Sequence, residues 1–359
     1  MPRGPLLGAM IVPLALAAAC RCETRRSRDA SAAEPGGALY LPGTRDGGAL
    51  DAAGPAAGQA TTSAQLELAV GDVSAFTRLG EPRPGDWLSV HDEPGQGFAA
   101  YVASNPPGRT ELRTEIVLLP FGPLDDRQAE LLAQVAAFTA SYFDVPVRLE
   151  AGRSLPRHPD RIRSAAGRQW GQYLTGRFLR DILPDALPPS AIALLGVTMA
   201  DLYPSPRWNF VFGEALLYDR IGIYSLARLG PEFMNRQRTA EASRLELRRS
   251  LQVVTHELGH MFGLVHCIDW ACNMNGSNSL EETDRKPLYL CPECLRKLQS
   301  NLGFDVLARY DALAAHLESM GLGQDAVWFR RRSAAIRAGL SVVADLLELG
   351  QGRAEAGTE

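Results

Sequence analysis

Apolar and polar positions follow two rhythms along this chain, and their order predicts its elements. Glu115 to Leu119 (EIVLL) is a short apolar strand, Asp125 to Phe143 has helical spacing behind an Asp cap, and Val145 to Glu150 alternates as a strand. Arg168 to Leu183 reads as a second helix. Ala191 to Thr198 (AIALLGVT) is the unbroken apolar run of a central strand, and it ends in ADLYP, a chain reversal. Strands at Trp208 to Leu217 and Ile221 to Leu226 precede a long helix that closes near Met261. Beyond Cys294 the pattern is helical, with helices at Val306 to Met320 and Ala326 to Leu349. This order predicts an α/β fold: a twisted mixed sheet, then the long helix, then a helical C-terminal part.

On the long helix, Leu247, Leu251, Val254, Leu258 and Met261 recur at spacings of four and three and form one apolar stripe. At roughly 100° per residue, His256 and His260 fall opposite that stripe, which predicts that they face away from the core the helix buries. Histidines four apart project from the same face, so both reach one metal ion. Glu257 sits one step round the helix, where its carboxylate reaches a metal-bound water more easily than the metal. Gly263 permits a left-handed helix end that returns His266 as a third nitrogen ligand. The run HELGHMFGLVHC therefore predicts a catalytic zinc with three protein ligands, one open position and its own general base.

Four of the six cysteines follow at once: Cys267, Cys272, Cys291 and Cys294, spaced C-x4-C and C-x2-C. Such spacings suit a closed tetrahedral zinc, a second and structural ion tying the segment after His266 to a helix beginning near Pro292. Two disulfides are the alternative, favoured by export to an oxidising compartment. Met274 lies in CNMNGSN, whose Asn and Gly residues indicate a tight turn. It is either an apolar floor beneath the metal or a plain core methionine.

The 37 Lys and Arg against 41 Asp and Glu leave a slightly acidic chain, which argues against nucleic acid as a partner. The run Arg330 to Arg332 is accordingly read as a solvated face. Residues 1–19 carry Arg3 and the apolar stretch LLGAMIVPLALAAA, which reads as an export signal too short and too interrupted by Pro13 to span a membrane. Alanines leading into Cys20 resemble a bacterial lipoprotein signal, which would put a lipid on that cysteine and make it the one membrane contact. A cleaved signal without lipid, or an over-extended start on a cytoplasmic protein, are the alternatives. Residues 20–63 are rich in Ala, Gly and Pro and read as a disordered linker; 64–349 form the folded domain and 350–359 a loose tail.

Taken together, His256, Glu257, His260, Gly263, His266, Cys267, Cys272, Met274, Cys291 and Cys294 resemble the archaemetzincin family of the metzincin clan. The likeness extends through LLGVTMADLYPSPRWNFVFGEA, GIYSLARLG and CPECLRKLQSNLGF, and covers roughly residues 80 to 320. The resemblance implies a metzincin-like α/β zinc peptidase with Met274 as the Met-turn residue, one catalytic zinc and one four-cysteine structural zinc.

The expected activity is peptide-bond hydrolysis of a peptide or protein substrate by a zinc-activated water, with Glu257 taking its proton and passing it to the departing amine. A strand bordering the cleft within Trp208 to Leu217 either holds an extended peptide, by analogy with the clan, or simply closes the sheet. The motif fixes the chemistry and not the position along a peptide at which it acts, so endopeptidase and aminopeptidase both fit. Asp201 and Glu214 are two of many carboxylates able to anchor a free amine. Two other classes compete: a non-catalytic zinc-stabilised binding module, which has no use for Glu257, and a nucleic-acid-binding zinc module built on the cysteines alone.

Overall fold

The computed structural model describes residues 51–52, 62–165, 167–216 and 218–355, with side chains described only for 62–340. The export signal, Cys20 and most of the 20–63 linker lie outside them. Asp51–Ala52 (β1) pairs antiparallel with the sheet edge, and Ser63–Gly71 (α1) begins behind a Thr62 capping box. Two short helices follow, Trp87–Val90 (α2) and Phe98–Ala103 (α3).

Glu115–Phe121 (β2) runs into Asp126–Phe143 (α4), which starts where the Asp125 carboxylate accepts from Gln128 N–H and the Gln128 side chain answers. Val147–Leu149 (β3) follows, shorter than the expected strand. Arg161–Ala165 (β4) and Arg168–Leu174 (β5) form an antiparallel pair. The helix expected over Arg168 to Leu183 is therefore half strand: only Thr175–Arg177 (α5), a π-turn at Phe178–Ile182 and Leu183–Ala186 (α6) are helical. Trp170, Tyr173, Leu174 and Phe178 fit helical spacing. Aromatic side chains and Gly171 suit a strand better, however, and pairing with β4 and with Asp201–Tyr203 (β7) overrides the periodicity. That β7 strand occupies the place read as a simple reversal.

Ala191–Thr198 (β6) is buried along its whole length, with parallel neighbours β2 and Ile221–Ser225 (β9). Gly213–Leu216 (β8) pairs antiparallel with β9 and ends the six-stranded order β1-β3-β2-β6-β9-β8, while β4-β5-β7 make a smaller sheet. The strands bury both faces, as a largely parallel sheet must. Ile116 and Leu118 join α4 and the long helix Ala240–Met261 (α7) in one core; Val117, Leu119, Leu194 and Ile223 meet Phe178, Leu179 and Leu183 on the other side.

Leu280–Arg285 (α8), Pro292–Leu302 (α9), Val306–Ser319 (α10) and Gly323–Glu355 (α11) complete the chain. α11 runs on to Glu355, past the point where a tail was expected. The solvated reading of Arg330 to Arg332 fails at Arg332, which is 1 % exposed. Its guanidinium donates to the Asp72 carboxylate (2.6 Å) and to the carbonyls of Leu68, Ala69 and Asp72, completing the C-terminus of α1.

Candidate functional site: a histidine metal centre beside a four-cysteine cluster

Thr239 caps the start of α7 by accepting from Ala242 N–H, and the stripe from Leu247 to Met261 lies in the core beneath the sheet. His256 and His260 point the other way. That face is not open, because the chain after Gly263 and residues 86–105 fold over it, leaving the two rings only 5 % and 6 % exposed. The last three turns of α7 are buried on both sides, so the expectation that the histidines face away from a core holds only for the sheet side.

Each histidine is fixed through its Nδ1. His256 meets the Asn273 carbonyl at 2.8 Å, His260 the Leu264 carbonyl at 2.7 Å, and His266 the Glu93 carboxylate at 2.8 and 3.1 Å. Carbonyls and carboxylates only accept, so each Nδ1 donates, and in a neutral ring that leaves the lone pair on Nε2. The Nε2 atoms of His256 and His260 then face one another at 3.0 Å with no proton between them, and the buried Nε2 of His266 has no hydrogen-bond partner. Ligand atoms of the three rings all lie within 4.8 Å of one another. Tetrahedral zinc would space its nitrogens roughly 3.3 Å apart. A proton could serve instead of a metal, but burial opposes it, driving His256 well below the usual imidazole value and His260 down to about 3. Three converged imidazole nitrogens, two of them kept uncharged by burial, fit a zinc ion.

Gly263, at φ +83°, makes the turn that brings His266 back. A Cβ at this position would also lie 2.5 Å from the Pro106 Cβ. Left-handed backbone costs a non-glycine residue about 1–2 kcal/mol before any clash. Gly263→Ala is expected to lower the thermal midpoint by several degrees and to release metal from the histidine site, as read by melting and metal analysis of one preparation. Gly259 has a different reason: Met274 packs on it so closely that a Cβ would meet the sulfur at 2.5 Å. Met274 is fully buried against the helix turn between His256 and His260, and its carbonyl accepts from Cys267 N–H at 2.8 Å.

Glu257 is 3 % exposed and lies beside β8, where a Cβ on Gly213 would come within 3.1 Å of its carboxyl carbon. Burial pushes its pKa up to about 8, opposed by the Lys286 charge and reinforced by Glu214. Lys286 is itself buried, its Nζ donating to the Asn275 carbonyl at 2.8 Å, and burial lowers it to about 8. The sequence reading missed both Lys286 and Glu93. One lysine among the charges of RKP carries no local signal, and Glu93 lies 173 residues from its partner.

Cys267, Cys272, Cys291 and Cys294 are buried and free, with their sulfurs all within 4.8 Å of one another. Cys267 and Cys291 stand 3.6 Å apart, far beyond a disulfide bond and close to the roughly 3.8 Å of tetrahedral zinc thiolates. Backbone N–H groups donate to the sulfurs: Met274 and Cys291 to Cys272, and Cys294 to Cys291 at the N-terminus of α9. Such donors favour thiolates.

The two carboxylates considered as amine anchors differ. Asp201 is saturated by Arg228 (2.7 Å twice), Trp170 Nε1 and Gln172 Nε2. Glu214, on β8, accepts from the Thr175 hydroxyl, and burial raises its pKa.

Residues 177–300 match Peptidase family M54. Archaemetzincin-2 of Macaca fascicularis is 34% identical over 269 residues, covering 67% of this chain and 74% of the relative. Archaemetzincin of Thermococcus kodakarensis is 38% identical over 195 residues, covering 52% of this chain and 96% of the relative. The crystal structure of archaemetzincin from Methanopyrus kandleri superposes with a TM-score of 0.42 at 34% identity, covering 54% of this chain and 97% of that one.

Proposed function

The chain belongs to the archaemetzincin family of zinc metallopeptidases, and from that premise we propose that His256, His260 and His266 hold its catalytic zinc while Glu257 is the general base. We further propose a second, structural zinc on Cys267, Cys272, Cys291 and Cys294. The observation that carries the reading is the convergence of three imidazole Nε2 atoms next to the buried Glu257 carboxylate.

Zinc bound there supplies Lewis acidity, lowering the pKa of a water and polarising the scissile carbonyl. Glu257 takes the proton of the attacking water and delivers it to the leaving amine. A dry, buried base keeps proton affinity high, while Lys286 limits the rise, so the carboxylate stays able to release as well as accept. Among the described residues β8 is an edge strand paired with β9 and starts beside Glu257, a position from which its outer edge would hold an extended peptide across the base. A non-catalytic module would retain the histidines but has no need of a buried carboxylate next to them.

Purified protein is expected to carry two zinc ions per chain and to cleave peptides from a mixed library. Chelation of the histidine-bound ion should abolish cleavage, and added zinc should restore it. Cleavage that persists with the histidine site emptied, or a site that never takes up metal, would overturn the assignment.

A further inference from the structure

The third ligand differs from the other two in how it is held. His256 and His260 lean on backbone carbonyls close by in sequence, at Asn273 and Leu264, whereas His266 leans on a charged side chain from the other end of the domain. Glu93 presents both oxygens to its Nδ1, at 2.8 and 3.1 Å, and the ring is 4 % exposed against 25 % for the carboxylate. The edge of Trp87 closes on the same imidazole, with ring centroids 4.9 Å apart at 76°.

The segment bearing Glu93 is itself anchored to the turn that carries His266. Gln96 Nε2 donates to the Gly263 carbonyl at 3.1 Å, and the Tyr101 hydroxyl donates to the Phe262 carbonyl at 2.9 Å. Both carbonyls belong to the two residues that directly follow α7, where no further helical N–H is left to pair with them. Trp87 N–H donates to Glu282 at 2.9 Å, and Asp86 pairs with Arg285, so the far end is tied to α8. Residues 86–105 thus form a strap over the end of the active-site helix, and Glu93 is the point where the strap touches the ligand set.

We propose that Glu93 is a positioning residue of the catalytic metal centre, its carboxylate fixing the tautomer and orientation of His266 and strengthening that ring as a donor; this rests on the histidine-site reading above. An ionised acceptor behind a ligating imidazole sets which nitrogen is protonated and raises the basicity of the other. Among the described groups Glu93 is the acceptor for His266 Nδ1, and the other nitrogen is the unpartnered Nε2 that joins the ligand set. Both Glu93 oxygens face Nδ1, an arrangement in which the carboxylate accepts and the ring donates.

The test measures zinc and cobalt affinity of the full chain, in Glu93→Ala and Glu93→Gln, by chelator competition. Cobalt absorbance separates the nitrogen site from the thiolate site, which acts as an internal control because a merely structural defect would weaken both. Glu93→Ala is expected to weaken the histidine site about 10–100-fold with the thiolate site unchanged. Glu93→Gln keeps a neutral acceptor and the side-chain shape, so it should fold normally and lose less, but still several-fold. Histidine-site affinity within two-fold of the parent in the folded Gln variant, or equal losses at both sites, overturns the positioning role and leaves the peptidase reading intact. A parent protein with no histidine-site metal overturns both.

Discussion

Glu257→Gln should lower kcat for peptide hydrolysis roughly 10²–10⁴-fold while both metals remain bound. The amide matches the carboxylate in size and keeps a polar group facing the cleft, so neither α7 nor the three imidazoles need move. What is lost is the proton acceptor. Burial pushes that carboxyl up to about 8, with Lys286 pulling it down and Glu214 pushing it further up. A divalent ion held by the three histidines would favour the ionised form, and the balance of these fields would give a base matched to activating a water and then protonating an amine. The measurement pairs steady-state kinetics on a cleaved peptide with metal analysis of the same preparation. A variant that retains more than about a tenth of parental kcat would remove Glu257 from the chemistry. A variant that loses zinc as well would show that the residue is needed to hold the metal.

Cys291→Ser should damage the whole domain, and catalysis only as a result. The four sulfurs join the segment directly after His266 to the start of α9, and Cys291 also caps that helix by accepting from Cys294 N–H. Binding free energy at a structural zinc is folding free energy, about 10–16 kcal/mol in isolated zinc-finger peptides. Even a third of that, in a domain of this size, moves the thermal midpoint by on the order of 10 °C. Because Cys267 adjoins His266, the histidine ion should be lost together with the thiolate ion. Melting curves with parallel counting of both ions provide the check. A serine variant that melts with the parent would exclude a metal at the cysteines.

Much of this architecture was legible in the sequence wherever the signal was local. Ala191 to Thr198 announced a buried central strand because eight consecutive apolar or small residues leave few other choices, and the Asp125 cap marked the start of α4. The ligand spacings were equally plain, since each histidine or cysteine pair repeats within one or two turns. Readings failed where a distant partner decided the outcome. Arg168 to Leu174 became a strand because β4 and β7 pair with it. Arg332 looked solvated until α1 offered it three carbonyls and a carboxylate. The face of α7 bearing the histidines was read only as turned away from the core, because the helix period reports one buried side and cannot report a second one supplied by residues 86–105. Glu93 and Lys286 belong to the same class, each given its role by a neighbour remote in sequence.

The 173-residue separation between Glu93 and His266 also bears on the order in which the site is assembled. During synthesis the strap leaves the ribosome first and must wait for its partner turn, on the order of ten seconds or more at typical elongation rates. Closing so long a loop is slow compared with winding α7, so the helix and its two histidines precede the completed centre. A chain whose strap has not yet met that turn should therefore hold the histidine-bound ion more weakly than the finished fold.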